Sequence, residues 1–410
     1  MLAIANLFGG FVKRLRQPPV LGEILGGIVL GPTIIGAMLP GIHNQLFPVI
    51  GESYRILQGV AYLGLIAFVF TAGLEVDTTC ISRQSRSTLI TSLSSIILPF
   101  ILGLGMVVLM PGLWRIPNGD LSIFALFMGT ALSISALPII ARILIDLDLL
   151  KKELGTLIIG AATINDIVGW TIFALILSSL NMDINLSLNL GLTICVLLVS
   201  ACILYICGKN REGLKSPIWG SVIDLTATAM LVAAVASESI GIHGITAAFL
   251  AGVILSQRIV EKDLVLKMTY LPVMIILAPI YFASIGLKID FVANFDLATV
   301  LLIFSMACIG KILGAGLGAM ASGMPERKAL AIGLGLNARG AMEIVLASAA
   351  LDYGLIEGRI FVALVIMALA TTVITGLTLP WLVGTRPVSQ MAWTPLPLHE
   401  LKGSYNYFEN

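Results

Sequence analysis

One carboxylate and two cations stand where so apolar a chain should carry none. Asp166 follows Asn165 inside the run Gly155–Leu180, which holds no other charge. Lys311 falls near the middle of 297–321. Arg339 falls near the middle of 327–351, with Glu343 four residues further on. A charge at the centre of a bilayer costs about 2.5–3.5 kcal/mol on the insertion scale, so such residues default to function. Burial penalises the ionised form of a carboxylate. A proton or a dehydrated monovalent cation relieves that penalty, one at a time. Asp166 is therefore the candidate site for both, and so the candidate metal ligand. The alternative is that Asp166 and one cation only pin helices together, but desolvation makes a buried pair a poor source of stability.

The elements that must carry these residues are membrane helices. Of 410 residues, 58% are hydrophobic and 11% charged, whereas soluble domains are about a quarter charged. Runs of roughly 20 apolar residues, enough to cross a bilayer, recur from end to end. Thirteen segments are predicted, at about 1–12, 19–38, 56–75, 87–111, 121–145, 154–180, 185–208, 219–237, 242–257, 268–287, 297–321, 327–351 and 359–384. Each span must satisfy its own backbone, so helices are the default and the fold class is an all-α membrane protein. A formal net charge of +1 offers no basic patch for nucleic acid. The five cysteines lack metal-ligand spacing and read as small hydrophobes. No separate signal peptide is read, and the first apolar run is too short to span alone.

Loop charge sets the orientation. Loops after odd-numbered segments hold sixteen Lys and Arg, against four after even-numbered ones: Arg55, Arg115, Lys288 and Arg359. The positive-inside rule puts the sixteen in the cytoplasm, with the N-terminus outside and the C-terminus inside. An internal repeat accompanies this arrangement. "LGGIVLGP" (25–32) resembles "LAGVILSQ" (250–257), and "GLEVD" (73–77) resembles "GLKID" (286–290). Both pairs are seven segments apart, so the copies face opposite ways. We expect inverted-topology repeats, about 1–180 and about 219–384, joined by a linker helix near 185–208 and followed by a short cytoplasmic tail, 385–410. Inverted repeats are a mark of secondary transporters, whose ions bind at midplane between discontinuous helices.

The seven-segment offset pairs the fifth segment with the twelfth. The fifth reads "GTALSISALPIIARIL" (129–144), with Ser133, Ser135 and Pro138. The twelfth reads "GLGLNARGAMEIVL" (333–346), with Asn337 and Arg339. Both are polar and interrupted where an ordinary span is most apolar. Broken helices expose N–H and C=O groups that need polar neighbours or ions. Elsewhere, Glu75, Asp77, Lys288 and Asp290 read as solvated caps, Glu23 as structural, and His43 as a loop residue. Asp224 and His243 stay undecided.

These stretches resemble the monovalent cation:proton antiporters, in the branch that includes bacterial sodium/proton antiporters and glutathione-gated potassium-efflux systems. The resemblance rests on "RQPPVLGEILGGIVLGPT" (16–33), "FVFTAGLEVD" (68–77), "ATINDIVGW" (162–170), "AAFLAGVIL" (247–255), "YFASIGLKID" (281–290), "GKILGAGLGA" (310–319) and "GLGLNARGAMEIVLA" (333–347). They cover almost the whole chain in family order. The resemblance implies that Asp166 binds cation and proton in turn, that Lys311 faces the site, and that the fifth and twelfth segments cross beside it. Thr130, Ser133 and Ser135 become candidate ligands or supports. Thr163, three residues before Asp166 on the same face, offers a further hydroxyl. A homodimer in a bacterial-type plasma membrane is implied in the same way.

Two departures bear on mechanism. Sodium-driven members with paired acids carry Asp where this chain has Asn165, which points to electroneutral one-for-one exchange and removes the usual partner of Lys311. Glu343 is left to pair with Arg339 or with Lys311. Potassium-efflux relatives carry a nucleotide-binding domain after the last helix, whereas 385–410 is too short for a fold. The expectation is a secondary antiporter of Na⁺ or K⁺ against H⁺, working by alternating access and needing no cofactor. Its rivals are a cation channel and a sodium-coupled organic-solute carrier. An intramembrane aspartyl protease would need a second midplane aspartate in Tyr-Asp and Gly-x-Gly-Asp contexts, which the chain lacks, so an enzyme is not expected.

Overall fold

The computed structural model describes residues 1–14, 18–48, 51–75, 86–114, 116, 120–147, 149, 152–180, 244–256 and 273–384. Their regular elements are all helical. In chain order these are α1 (Leu2–Arg14), α2 (Pro19–Leu30, continued by a wide turn at Pro32–Gly36), α3 (Pro40–Leu46) and α4 (Glu52–Glu75). Next come α5 (Arg86–Leu109), α6 (Leu121–Ser133), α7 (Leu137–Asp146) and α8 (Glu153–Leu180). The remainder are α9 (Gly244–Ser256), α10 (Ala278–Lys288), α11 (Leu297–Ala321), α12 (Glu326–Leu336), α13 (Ala341–Asp352) and α14 (Gly358–Val383).

Among the described residues, six helices are long and apolar enough to cross a membrane, or seven when α12 and α13, bent by 47° at their break, make one span. The predicted seventh and eighth segments and the tail 385–410 lie outside the described residues, as do Asp77, Asp224 and His243. One expectation is corrected. His43 is not in a loop but in α3, where it is buried. Pro40 opens that helix at a position where its missing N–H costs nothing.

The helices fall into two compact units. The first gathers α1 to α4 with α9 and α10. Here α2 packs on α1 and α10, while α4 packs on α9 and α10. Glycine permits the closest approaches. A side chain at Gly27 would strike the Ala283 carbonyl, and one at Gly252 would strike the Phe70 carbonyl. Gly286 likewise meets Gly27, and Gly73 meets Gly252. The sequence repeat aligns Gly27 with Gly252 and Gly73 with Gly286, so it exchanges one close pair for the other. Glu23 is buried on α2 beside Gly9 of α1, and Asp290 caps the turn after α10 through the Val292 and Ala293 amides.

The second unit holds α5 to α7, α8 as far as Ile176, and α11 to α14. Its tightest seam joins α5 and α11. Gly310, Gly314 and Gly318 recur every four residues of α11, and so share one face. They lie against Pro99, Ser94 and Thr91 of α5. Side chains there would hold the backbones apart, which is why small residues line such membrane seams. A second apolar cluster packs Ile140 and Leu144 of α7, Ile158 of α8, Ala315 of α11 and Ile332 of α12. The start of α12 is tied down by Arg327, which donates to the Leu382 carbonyl at 3.1 Å, and by an exposed Lys328–Glu153 pair at 3.0 Å.

Candidate ion-binding site

The site lies in the second unit, where two helices are broken. Between α6 and α7, Ile134 to Ala136 leave the helix, and Pro138 takes the second position of α7. Between α12 and α13, Asn337 to Gly340 do the same. The two breaks are bonded to each other. The Ala136 N–H donates to the Ala338 carbonyl at 3.0 Å, and the Ser135 hydroxyl donates to the Leu336 carbonyl at 2.8 Å.

A helix that stops inside a membrane leaves its last carbonyls exposed, and these carry the negative end of its dipole. At the end of α6 two cations serve them. Arg339 donates from Nη1 to Ala131 O at 2.7 Å and from Nη2 to Leu132 O. Lys311 donates to Ser133 O. At the end of α12 the partners are neutral. Leu334 O accepts from the Thr375 hydroxyl at 3.1 Å, and Leu336 O accepts from Ser135. The guanidinium suits its place, because its planar fork spans two adjacent carbonyls and still reaches a carboxylate.

That carboxylate is Glu343, 3.0 Å from Arg339 one turn along the chain, with both side chains buried. Of the two pairings open to Glu343 in the sequence, the structure adopts the one with Arg339. The Thr372 hydroxyl donates to the Arg339 carbonyl and fixes the backbone of the break.

Lys311 is fully buried, so its three N–H donors must find acceptors inside the protein. It finds three. Beside Ser133 O it donates to Ser95 O of α5 at 3.2 Å and to the Asn165 side-chain oxygen of α8 at 3.0 Å. The amide orientation follows from its neighbours, since an ammonium offers only donors and a carbonyl only acceptors. With the oxygen towards Lys311, the Asn165 nitrogen donates to Ala161 O and Ser92 Oγ, both at 3.1 Å, and its oxygen also accepts from Ser95 Oγ at 3.0 Å. Asn165 thus replaces the expected partner of Lys311 with a neutral one.

Asp166 follows on α8 with 2% of its surface exposed. Gly169, three residues on and so on the same helical face, abuts Ile134 in the α6–α7 break. The charges of Arg339, Asp166 and Glu343 all reach Lys311. The expected hydroxyls are buried as well. Thr130 and Thr163 donate to carbonyls four residues back, Leu126 O at 2.8 Å and Ile159 O at 2.9 Å. Ser133 does the same to Gly129 O. Their protons are thus committed, and lone pairs remain, which is what a hard cation requires. Asn337 turns its nitrogen to Cys308 Sγ at 3.5 Å, leaving its buried oxygen unbonded.

Sequence reasoning missed Ser92 and Ser95, which grip Asn165. Their signal was present, because Ser92 and Ser95, three residues apart, share a face of the uncharged run 87–111. Among the described residues no cluster of three or more His, Cys, Asp or Glu could hold a metal ion.

Comparison with known proteins places the chain among cation/proton exchangers. The family described as "Sodium/hydrogen exchanger, transmembrane" matches residues 2–385. The chain is 32% identical to Cation/H(+) antiporter 18 of Arabidopsis thaliana over 428 residues, covering 99% of this chain and 50% of that protein. It is 31% identical to the Na(+)/H(+) antiporter NhaS4 of Synechocystis sp., covering 92% of this chain and 93% of the relative. It is 30% identical to the Na(+)/H(+)-K(+) antiporter GerN of Bacillus cereus, covering 96% and 97%. The chain spans about half the length of the plant relatives it matches.

Proposed function

The chain belongs to the sodium/hydrogen exchanger family, and from that premise we propose that it exchanges a monovalent cation, Na⁺ or K⁺, for H⁺ across its membrane. It is an integral, multi-pass membrane protein. The observation that carries the reading is the buried Asp166, set on α8 next to a neutral amide and three residues before Gly169, which abuts the break between α6 and α7. Burial favours neutralising the charge of a carboxylate there. A proton and a dehydrated cation compete for that role, so each crossing moves one or the other. Lone pairs of Thr130, Ser133, Ser135 and Thr163 and the oxygen of Asn337 complete the cation's shell, as carbonyls replace hydration in channels. Lys311, Arg339 and Glu343 hold the broken ends in place around it.

The exchange is one for one. Asn165 cannot take up a proton at the place where paired-acid members carry a second carboxylate, and Lys311 already spends its three donors. Inverted-topology repeats underlie alternating access in this reading. The exchange of close pairs, Gly27 with Gly286 for Gly252 with Gly73, supports them. The two compact units do so as well, because each is drawn from both halves of the chain. The same reading includes an outside N-terminus, a cytoplasmic C-terminus and a homodimer. Mass measurement in native-like discs tests the last.

The test is a cation pulse given to the purified chain in liposomes loaded with a pH dye. Internal pH should rise or fall with the direction of the Na⁺ or K⁺ gradient. A dissipative cation current without proton movement would favour a channel instead, and uptake of organic solutes driven by Na⁺ would favour a solute carrier.

A further inference from the structure

Pro99 stands inside α5, where it has no N–H to give to the carbonyl four residues back. That carbonyl belongs to Ser95, and it is the one that Lys311 uses, at 3.2 Å. Proline also lies on the close seam of α5 with α11. A side chain at Gly310 would come within 2.7 Å of Pro99 Cα, and Gly310 immediately precedes Lys311. The missing donor, the free acceptor and the ammonium therefore coincide on one seam.

We propose that Pro99 is a positioning residue of the ion site, acting through the freed Ser95 carbonyl on Lys311. The inference rests on the exchange function proposed above. Each acceptor of the ammonium is backbone or amide that local structure has released. Ser133 O is free because α6 stops there, and Asn165 is held by Ser92 and Ser95. Ser95 O is free because residue 99 is proline. With three acceptors around three donors, the ammonium is saturated and directs no donor to Asp166. If residue 99 regains its N–H, the helix reclaims Ser95 O. One donor of Lys311 then turns to the carboxylate of Asp166, whose charge reaches it, and competes with the transported cation.

The experiment is a mutant cycle on the full chain in proteoliposomes, with Na⁺ pulses of graded concentration. Pro99→Ala should raise the apparent KM for Na⁺ several-fold with little change in maximal rate. In the Lys311→Gln background the same substitution should change KM no further, since coupled residues are not additive. The thermal-shift effect of Pro99→Ala should likewise differ between the two backgrounds, a readout independent of transport. Pro99→Gly also restores an N–H and serves if the alanine variant does not fold. An ester at position 99, made with the α-hydroxy analogue of alanine, has neither ring nor N–H and should retain the wild-type KM. Pro380→Ala, at the other proline inside a described long helix, controls for helix straightening and should leave KM unchanged. An unchanged KM in Pro99→Ala, equal effects in both backgrounds, or an ester variant that behaves like alanine would each overturn the inference. Failure of the exchange reading is separate, because it would appear as wild-type protein that moves no protons.

Discussion

The side-chain oxygen of Asn165 lies 3.0 Å from the ammonium of Lys311. An amide at this distance satisfies a donor without cancelling its charge. The donors of Lys311 go to neutral oxygens, and Arg339 and Glu343 pair with each other nearby. In the proposed exchange, Asp166 is the carboxylate of this site that changes its charge with the transport cycle.

A potential-independent rate follows. If one carboxylate carries one cation one way and one proton the other, both crossings move the same charge. An imposed voltage should then barely alter exchange. One uncompensated charge is worth about 2.3 kcal/mol per 100 mV, roughly a fiftyfold change in driving force. The measurement uses proteoliposomes with the potential set by valinomycin and Na⁺ as substrate. A steep voltage dependence would show that Lys311 or another group carries charge across.

Asn165→Asp tests the same geometry from the other side. The new carboxylate faces Lys311 at ion-pair distance and adds a second acid to the site. The expected result is exchange that becomes sensitive to potential. Unaltered insensitivity would mean that position 165 does not enter the charge count.

Lys311→Gln removes the positive charge that reaches Asp166. A nearby cation favours an ionised carboxylate, so its loss favours the protonated one. The exchange profile should therefore move to higher pH, and the α6 end loses one of its caps. A pH series in liposomes, with thermal unfolding in parallel, reads both effects. An unchanged profile with unchanged stability would contradict this role.

The buried Arg339–Glu343 pair should be structural. Removing one partner of a buried pair typically costs about 3–5 kcal/mol, because the other charge is stranded. Glu343→Gln should thus lower the thermal midpoint clearly. Arg339→Lys should do so too, since an ammonium cannot span Ala131 and Leu132 carbonyls as a planar fork does. Midpoints equal to wild type would mean that the pair contributes little.

Much of this site was legible before the fold. Hydropathy located the six or seven spans found among the described residues, and the polar interruptions at 129–144 and 333–346 located both breaks, because no uninterrupted membrane helix would tolerate them. Central position singled out Asp166, Lys311 and Arg339. What stayed hidden were partners. Glu343 can reach Arg339 one turn away, but spacing alone could not exclude Lys311. The grip of Ser92 and Ser95 on Asn165 joins residues some 70 positions apart, which no helical period encodes. His43 was misjudged because it falls between the apolar runs 19–38 and 56–75, where Pro40 starts a short helix.

The central claim is that the Asp166 carboxylate carries both ions. Exchange by purified wild-type and Asp166→Asn protein, reconstituted in equal amounts and read by an internal pH dye after Na⁺ and K⁺ pulses, tests it most directly. The substitution keeps the shape of the side chain and removes its charge, so a monodisperse, folded variant is expected. Its exchange should fall to that of empty liposomes with either cation. Near-normal pH signals from the folded variant would contradict the claim and place the ion site elsewhere.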